Sequence, residues 1–432
     1  MSAATLIALV VLGLLCLAAA FGAGYAFALI RSAQLAERAP VGSPEEAGEG
    51  PPDSIVATRL EPSRVAFARL PAEGSDAWRA SMAELGSRMR TAGTRLVVFA
   101  HGSFVGNDPL ALARTLEGAA AIVPGRPRFA PHLARGLRGF TRAQASRILG
   151  DLSNFPPDYV AALAAAIGIE AADFTWSGEN HHAARVQEAV RLARTLASHL
   201  GGGRDRSAGA GAALAAKERV LLVGHSHGGQ LFAILSQLLA QAHGYEELVH
   251  AAAARGEDVQ VLEEHLGRLR RCDFDVATFG TPPRYAFASG ARFRVLHLVN
   301  HRPSAAARAA SLRGLLHTRH GDYVHHLGAP GSDWPALSAK DRALNQRLDR
   351  ILGVGTDVRV WLRHVGQGLR VSPHGHTVLV DYGDQARVVP NFLATGLGHA
   401  AYTRREAMLF HMQLVTDHFY PAVARRSLLA PS

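Results

Sequence analysis

Short apolar runs alternate along this chain with longer segments whose apolar residues recur every three or four positions. Runs of strand type lie at 95–100, 173–176, 220–223, 272–279, 293–299 and 377–382. Segments with helical periodicity lie at 76–91, 181–200, 230–240 and 406–419. Because strands that alternate with helices are typical of layered α/β domains, the pattern predicts an α/β fold.

The sequence around Ser226 predicts a strand directly before this residue and a helix directly after it. The apolar run 220–223 is followed by Gly-His-Ser-His-Gly-Gly, and a helical pattern begins directly afterwards. A serine hydroxyl is a weak nucleophile, so catalysis needs it held out of the sheet, near a base and near oxyanion donors. A sharp turn does this, and Gly224 and Gly228 leave room for it. Gly229 lets the helix approach the strand.

This strand, turn and helix resemble the nucleophile elbow of the α/β-hydrolase superfamily, and more narrowly its lipase and esterase branch. The resemblance covers roughly residues 93–420, and Phe-Gly-Thr-Pro at 279–282 is a further lipase-like feature. It implies a mostly parallel central sheet flanked by helices, Ser226 as nucleophile and a triad in the chain order Ser, Asp, His. The reaction would be the cleavage of carboxylic esters or thioesters, with no cofactor.

A second lipase-like segment follows the first core strand. The run 95–100 ends in His101-Gly102-Ser103, which resembles the oxyanion loop of lipases. Glycine at this position lets backbone N–H groups turn toward the substrate carbonyl. The resemblance implies that the amides of Ser103 and His227 are the oxyanion donors. An ordinary turn at the end of a strand is the alternative.

The triad acid is expected between the nucleophile and the histidine. Asp322 belongs to the segment His-Gly-Asp-Tyr-Val-His-His-Leu, which resembles the lipase pattern of an Asp followed by Val and a polar pair. Asp333 is the second candidate. Residues 301–319 separate the strand 293–299 from Asp322, which departs from the family pattern. We favour Asp322 and keep Asp333 as the alternative.

The catalytic histidine is expected in a loop after the last strand and before the closing helix. His399 occupies this position, between the strand 377–382 and the helix 406–419. His411 and His418 lie within that helix and are interpreted as packing or surface residues. The sequence therefore predicts the triad Ser226, His399 and Asp322.

Two other functions are compatible with the same residues. The first is a metal-dependent hydrolase, because several potential ligands could crowd one end of the sheet: His101, His225, His227, His320, Asp322, His325 and His326. No H-E-x-x-H or Cys/His spacing typical of a metal site accompanies them. The second is a membrane-tethered binding scaffold that keeps the fold without turnover.

Residues 107–170 are too long for a simple connection from a strand to a helix. They carry several amphipathic pieces, whose apolar residues could pack on one another or line an acyl pocket. We predict a lid or cap insertion here.

The amino terminus carries the strongest membrane signal. Residues 1–30 contain no charged side chain, and Thr5–Ile30 is long enough to cross a hydrocarbon core of about 30 Å as a helix. A transmembrane anchor is predicted, with a cleaved signal peptide as the alternative. Arg31 and Arg38 follow the helix, so the positive-inside rule favours a cytoplasmic catalytic domain.

The segment after the anchor is rich in Glu, Pro, Gly and Ser. Such a composition is typical of a flexible, solvated tether, and we assign residues 31–62 to it. The hydrolase domain is then expected over residues 63–432. A membrane-anchored site makes lipid-like esters the preferred substrate class.

Composition limits the other functions. With 432 residues, of which 48% are hydrophobic and 19% charged, the chain can bury a large core. The net charge of +10 comes from dispersed Arg residues without the interleaved aromatic residues of a nucleic-acid groove, so nucleic-acid binding is not expected. Cys16 and Cys272 are the only cysteines and provide no disulfide framework. Nothing in the sequence specifies an oligomeric state.

Overall fold

The computed structural model describes the parts of the chain that carry the sheet, its helices and most of the predicted site. The described residues are 56–60, 70–103, 132, 135–136, 154–201, 218–282, 284–288, 292–301, 321–322, 324–325, 336, 338–352, 375–382 and 398–421. The predicted anchor, most of the predicted lid, and Asp333 lie outside them. Among the described residues, no helix is both long and apolar enough to cross a membrane.

A seven-stranded sheet forms the centre of the described structure. Its strands are β1 (Val56–Leu60), β2 (Thr94–Ala100), β3 (Glu170–Phe174), β4 (Arg219–His225), β5 (Asp273–Phe279), β6 (Phe293–Asn300) and β7 (His376–Val380). The spatial order is β1-β7-β6-β5-β4-β2-β3, and all six pairings are parallel. The predicted α/β fold with a mostly parallel sheet is confirmed.

Helices cover both faces of this sheet. They are α1 (Asp76–Thr91), α2 (Pro157–Ile167), α3 (His182–Gly201), α4 (Gly228–Ala240), α5 (Tyr245–Ala254), α6 (Leu262–Leu269), α7 (Ala339–Leu352) and α8 (Met408–Phe419), with a 3₁₀ turn at Arg405–Ala407. Successive strand residues point to opposite faces. Val98 and Leu222 therefore pack with α3 to α7, whereas Val97 and Leu221 pack with α1, α2 and α8.

The position of β1 contradicts the predicted boundary of the tether, residues 31–62. Residues Val56–Leu60, at the carboxyl end of that segment, form β1 and pair in parallel with β7, with Val56 opposite His376. The tether boundary is therefore wrong at this end. A five-residue strand in a Pro- and Gly-rich segment has a weak local signal, and it forms because the open edge of β7 offers hydrogen-bond partners.

Helix α2 lies within residues 107–170, the predicted lid. It packs against α1 and leads through a left-handed Gly168 (φ +64°) into β3. The carboxyl end of the predicted insertion thus belongs to the layer of helices on the sheet.

The order of the strands reverses direction between β2 and β4. The chain passes from β2 outward to the edge strand β3, returns to β4 on the other side of β2, and then continues to β5. A switch point is the place where the connections from two neighbouring strands leave in opposite directions. Open α/β sheets bind ligands just past the carboxyl ends of these two strands. Here those ends are Ala100 and His225.

Candidate active site

Ser226 follows β4 directly and has a strained backbone. Its φ is +52°, in a region that residues with a side chain rarely adopt. Two hydrogen bonds hold it there: its amide donates to Phe279 O at 2.9 Å, and Thr281 Oγ1 donates to Ser226 O at 2.8 Å. Because such strain persists only when the surroundings enforce it, the loop after β5 helps to define the turn.

The glycines around Ser226 are required by close contacts. A Cβ on Gly224 would lie 2.7 Å from the Cα of Gly229, so the strand and helix α4 touch at backbone distance. A Cβ on Gly228 would lie 2.4 Å from Ala100 O, at the end of β2. These two glycines allow the turn to close and bring the ends of β2 and β4 together, as the sequence predicts for an elbow.

Asp322 lies at the end of β6, despite the long segment that precedes it in the sequence. Gly321 forms an antiparallel bridge with His301, and the Asp322 amide donates to Asn300 O at 2.9 Å. Gly321 and Asp322 therefore lie beside the end of β6, although they are far from it in the sequence. The intervening residues, 302–320, lie outside the described part of the chain.

Asp322 and His399 form a buried pair. Asp322 Oδ2 lies 2.8 Å from His399 Nδ1, with Asp322 completely buried and His399 only 6% exposed. Burial opposes the charged carboxylate, but the charge and hydrogen bond of His399, together with His325, hold the pKa of Asp322 well below its ordinary value. The carboxylate is therefore ionised and orients the imidazole.

His399 is placed beside the elbow by contacts with two strand ends. His225 Nε2 donates to His399 O at 2.8 Å, and the centroids of the two rings are 4.6 Å apart. On the other side, Asn300 Nδ2 donates to Gly398 O at 2.8 Å. His399 Nε2 is buried and makes no hydrogen bond within the described part of the chain, including to Ser226. It is the nitrogen that would have to accept the serine proton.

The predicted oxyanion residues meet across the same junction. Ser103 Oγ lies 3.1 Å from His227 Nδ1, and a Cβ on Gly102 would lie 2.9 Å from the Cβ of Ser226. His227 is the N-cap of α4, the end at which the helix dipole favours negative charge. The arrangement suits a site that stabilises an oxyanion.

The loop after β2 is held by Trp176. The Trp176 amide donates to His101 Nε2 at 3.2 Å, and Trp176 Nε1 donates to His101 O at 2.8 Å. His101 Nδ1 lies 2.7 Å from Gly102 O. Since Nε2 accepts a hydrogen bond, the proton of His101 is on Nδ1 and points to that carbonyl. The side chain of His101 thus organises the loop.

The histidines of the metal alternative are distributed over separate contacts. His101 bonds with Trp176, His227 with Ser103, and His225 with the backbone of His399. Within the described ranges, no three His, Cys, Asp or Glu side chains are grouped so that they could hold a metal ion. His320 and His326 lie outside those ranges.

Three further residues of the site carry no sequence signal that would reveal them. Tyr402 donates to Asp322 Oδ2, Thr281 fixes the carbonyl of Ser226, and Asn300 joins the ends of β6 and the His399 loop. Tyr402 and Asn300 are ordinary polar residues with no motif around them. Thr281 lies within the lipase-like Phe-Gly-Thr-Pro, which indicates its position after β5 but not its contact.

Comparison of the chain with protein-family models, with curated proteins and with solved structures finds no match. The structure itself defines the class as an α/β protein with a parallel sheet between two layers of helices. This architecture is compatible with an α/β-hydrolase fold.

Proposed function

We propose that the chain is a serine hydrolase of α/β-hydrolase type that cleaves carboxylic esters or thioesters. The observation that carries the proposal is the buried pair of Asp322 and His399, 2.8 Å apart, beside Ser226 in its left-handed turn. A carboxylate on Nδ1 fixes the tautomer that leaves Nε2 as a base. The imidazole of His399 and the hydroxyl of Ser226 then lie at the carboxyl ends of the strands, on the side of the sheet where the switch point lies.

In the first half of the reaction, Ser226 Oγ attacks the carbonyl carbon of the substrate and its proton passes to His399 Nε2. Asp322 stabilises the imidazolium that forms. The carbonyl electron pair moves onto oxygen, and the amides of Ser103 and His227 donate to this oxyanion. Ser103 follows β2 and His227 is the N-cap of α4, and these two elements meet at the elbow.

The tetrahedral intermediate collapses when the bond to the alcohol oxygen or thiol sulfur breaks. The leaving atom takes the electron pair and the proton from His399, which leaves an acyl group on Ser226. Water then attacks the acyl carbon and gives a proton to His399. The bond from that carbon to Ser226 Oγ breaks, His399 returns the proton to Oγ, and the carboxylic acid leaves. No cofactor takes part.

Lipid-like esters are the proposed substrates. An anchor in residues 1–30 would hold the site at a membrane surface, on its cytoplasmic side if Arg31 and Arg38 orient the helix. The amphipathic pieces within residues 107–170 would supply apolar contacts for an acyl chain.

The proposal is tested on the full-length chain in detergent by hydrolysis of short p-nitrophenyl esters and by labelling with a fluorophosphonate probe. Ser226→Ala is expected to abolish both, because it removes the nucleophile but little buried volume. The matched control is Ser198→Ala, which changes an exposed serine of α3 and is expected to retain activity and labelling.

Turnover of Ser226→Ala within tenfold of the wild type would eliminate Ser226 as the nucleophile. A folded wild-type chain that neither hydrolyses esters nor reacts with the probe would favour the binding scaffold. Loss of turnover in EDTA and recovery with zinc would favour the metal-dependent hydrolase.

A further inference from the structure

Tyr402 is completely buried at the centre of the proposed site. Its ring centroid lies 5.8 Å from that of His225 and 6.3 Å from that of His399. A Cβ on Gly280, just past β5, would come within 2.6 Å of Tyr402 Cε2. The ring is therefore closely confined by the ends of two strands and by the loop that carries His399.

The direction of the hydrogen bonds at the Tyr402 hydroxyl follows from its partners. The amide of Asn300 donates to the phenol oxygen at 2.7 Å, and Asp322 Oδ2 lies 2.8 Å from the same oxygen. Because the amide can only donate, the phenol proton points to the carboxylate. Burial, and then the charge of Asp322, raise the pKa of Tyr402 well above its ordinary value, so the donor keeps its proton.

The Asp322 carboxylate accepts hydrogen bonds on both of its oxygens. Oδ2 accepts from His399 Nδ1 and from the Tyr402 hydroxyl, and Oδ1 accepts from the amide of His325 at 2.8 Å. The terminal torsion of an aspartate is broad, so a carboxylate with one partner can rotate. Donors on both oxygens define its plane. The Tyr402 hydroxyl is the second side-chain donor, after His399, on the oxygen that faces the imidazole.

We propose that Tyr402 is a positioning residue of this site, whose hydroxyl holds the Asp322 carboxylate so that Oδ2 faces His399 Nδ1. The inference rests on the proposed hydrolase function and deepens it. Tyr402 acts on the imidazole through Asp322. Its removal should therefore slow the chemical step and leave substrate binding unchanged.

Tyr402→Phe in the full-length chain tests this positioning role, with Tyr382→Phe as the matched control. Tyr382 is also buried, its ring lies 5.3 Å from that of Tyr402, and its hydroxyl bonds to His411 Nε2 at 2.7 Å. We expect Tyr402→Phe to lower kcat for p-nitrophenyl esters about tenfold with KM near the wild type, the scale of a hydrogen bond to a charged group. Tyr382→Phe should retain kcat, although both variants lose thermal stability.

A double-mutant cycle separates positioning from a general structural effect. The rate of fluorophosphonate labelling is measured for Tyr402→Phe, Asp322→Asn and the combination. We expect the Tyr402→Phe effect to shrink to nearly nothing when Asp322 is already replaced, because the two residues act as one unit.

An equal loss from Tyr402→Phe with and without Asp322→Asn would overturn the proposal, and so would an unchanged kcat in the single variant. A rise in KM that accounts for the whole loss would also overturn it. If the proposed hydrolase function were wrong, Ser226→Ala would keep full activity. That result is distinct from the outcomes above, which concern Tyr402 alone.

Discussion

At the scale of single residues, the site depends on an ionised carboxylate in a place that water does not reach. Asp322 is stabilised by hydrogen bonds from the His325 amide, the Tyr402 hydroxyl and His399 Nδ1. Replacing the carboxylate by an amide keeps the shape but removes the charge that selects the imidazole tautomer. In the best-studied triad this change lowers turnover by about 10⁴.

We therefore expect Asp322→Asn to lower ester turnover by two orders of magnitude or more. The matched control is Asp333→Asn, which changes the alternative acid and should keep turnover near the wild type. Melting temperatures of both variants serve as the check on folding. If Asp333→Asn were the inactive variant, Asp322 would be a structural partner of His399 and not the triad acid.

A second buried carboxylate, Glu188 in α3, is expected to make stability depend on pH. Burial raises the pKa of Glu188 from 4.5 to about 7, although Arg191 at 2.5 Å and the amide of Ser177 favour the charged form. Between these pH values the folded chain binds more protons at Glu188 than the unfolded chain. The free energy of unfolding therefore falls as pH rises from 4.5 to 7.

Glu188→Gln should remove this contribution, which the pKa shift places at about 3 kcal/mol or less. In urea unfolding of the detergent-solubilised chain, the variant should lose less stability than the wild type between pH 5 and pH 8. Glu84→Gln, at an exposed position of α1, is the control and should follow the wild-type profile. A Glu188→Gln profile parallel to that of the wild type would contradict the prediction.

At the scale of elements, the site lies where the carboxyl ends of β2 and β4 meet. The distance between these two ends is set by direct contact between backbone atoms. Gly228 at the start of α4 lies so close to β2 that an added Cβ would be 2.4 Å from Ala100 O and 2.6 Å from His101 O. Both atoms belong to the backbone and cannot move independently. A side chain at this position must push β2 and the elbow apart.

Gly228→Ala is therefore expected to lower turnover at least tenfold and the free energy of unfolding by about 1–3 kcal/mol, the usual cost of overpacking. Gly267→Ala is the matched control. Gly267 lies within α6 with no atom within 4 Å of its added Cβ, so alanine should stabilise the chain by about 0.5–1 kcal/mol and leave turnover unchanged. Wild-type turnover in Gly228→Ala would show that the two strand ends tolerate separation.

At the scale of the whole molecule, the amino-terminal residues are expected to have two separate roles. Residues 1–30 should retain the full-length chain in the membrane fraction through a carbonate wash. Deletion of residues 1–54 should give an active chain that carbonate releases, because β1 begins only at Val56. Release of the full-length chain, or a mature amino terminus near residue 28, would contradict the anchor.

Deletion of residues 1–62 is the matched comparison, because it also removes β1. Without β1, the edge of β7 loses its hydrogen-bond partners and is open to association with another chain. We expect a lower melting temperature and a tendency to aggregate relative to the shorter deletion. Equal melting temperatures for the two deletions would mean that β1 adds nothing to the stability of the sheet.

The parts of this protein that the sequence determines by itself are those with local causes. The elbow at Ser226 needs an apolar strand, small residues on both sides of the serine and a helix, all within about twenty consecutive residues. The α/β class follows from alternating periodicities. The sequence places His399 between the last predicted strand and the closing helix, and His399 lies between β7 and α8 in the structure.

The tertiary structure alone decided which distant residues meet. Asp322 and His399 are 77 positions apart, and their contact depends on Gly321 pairing with His301 and on the Asp322 amide donating to Asn300 O, at the end of β6. β1 exists because β7 has an open edge, and Tyr402 reaches Asp322 because the ends of β4 and β5 confine its ring and the Asn300 amide donates to its hydroxyl. Such contacts are set by packing between segments that are far apart in the sequence, and no local pattern encodes them.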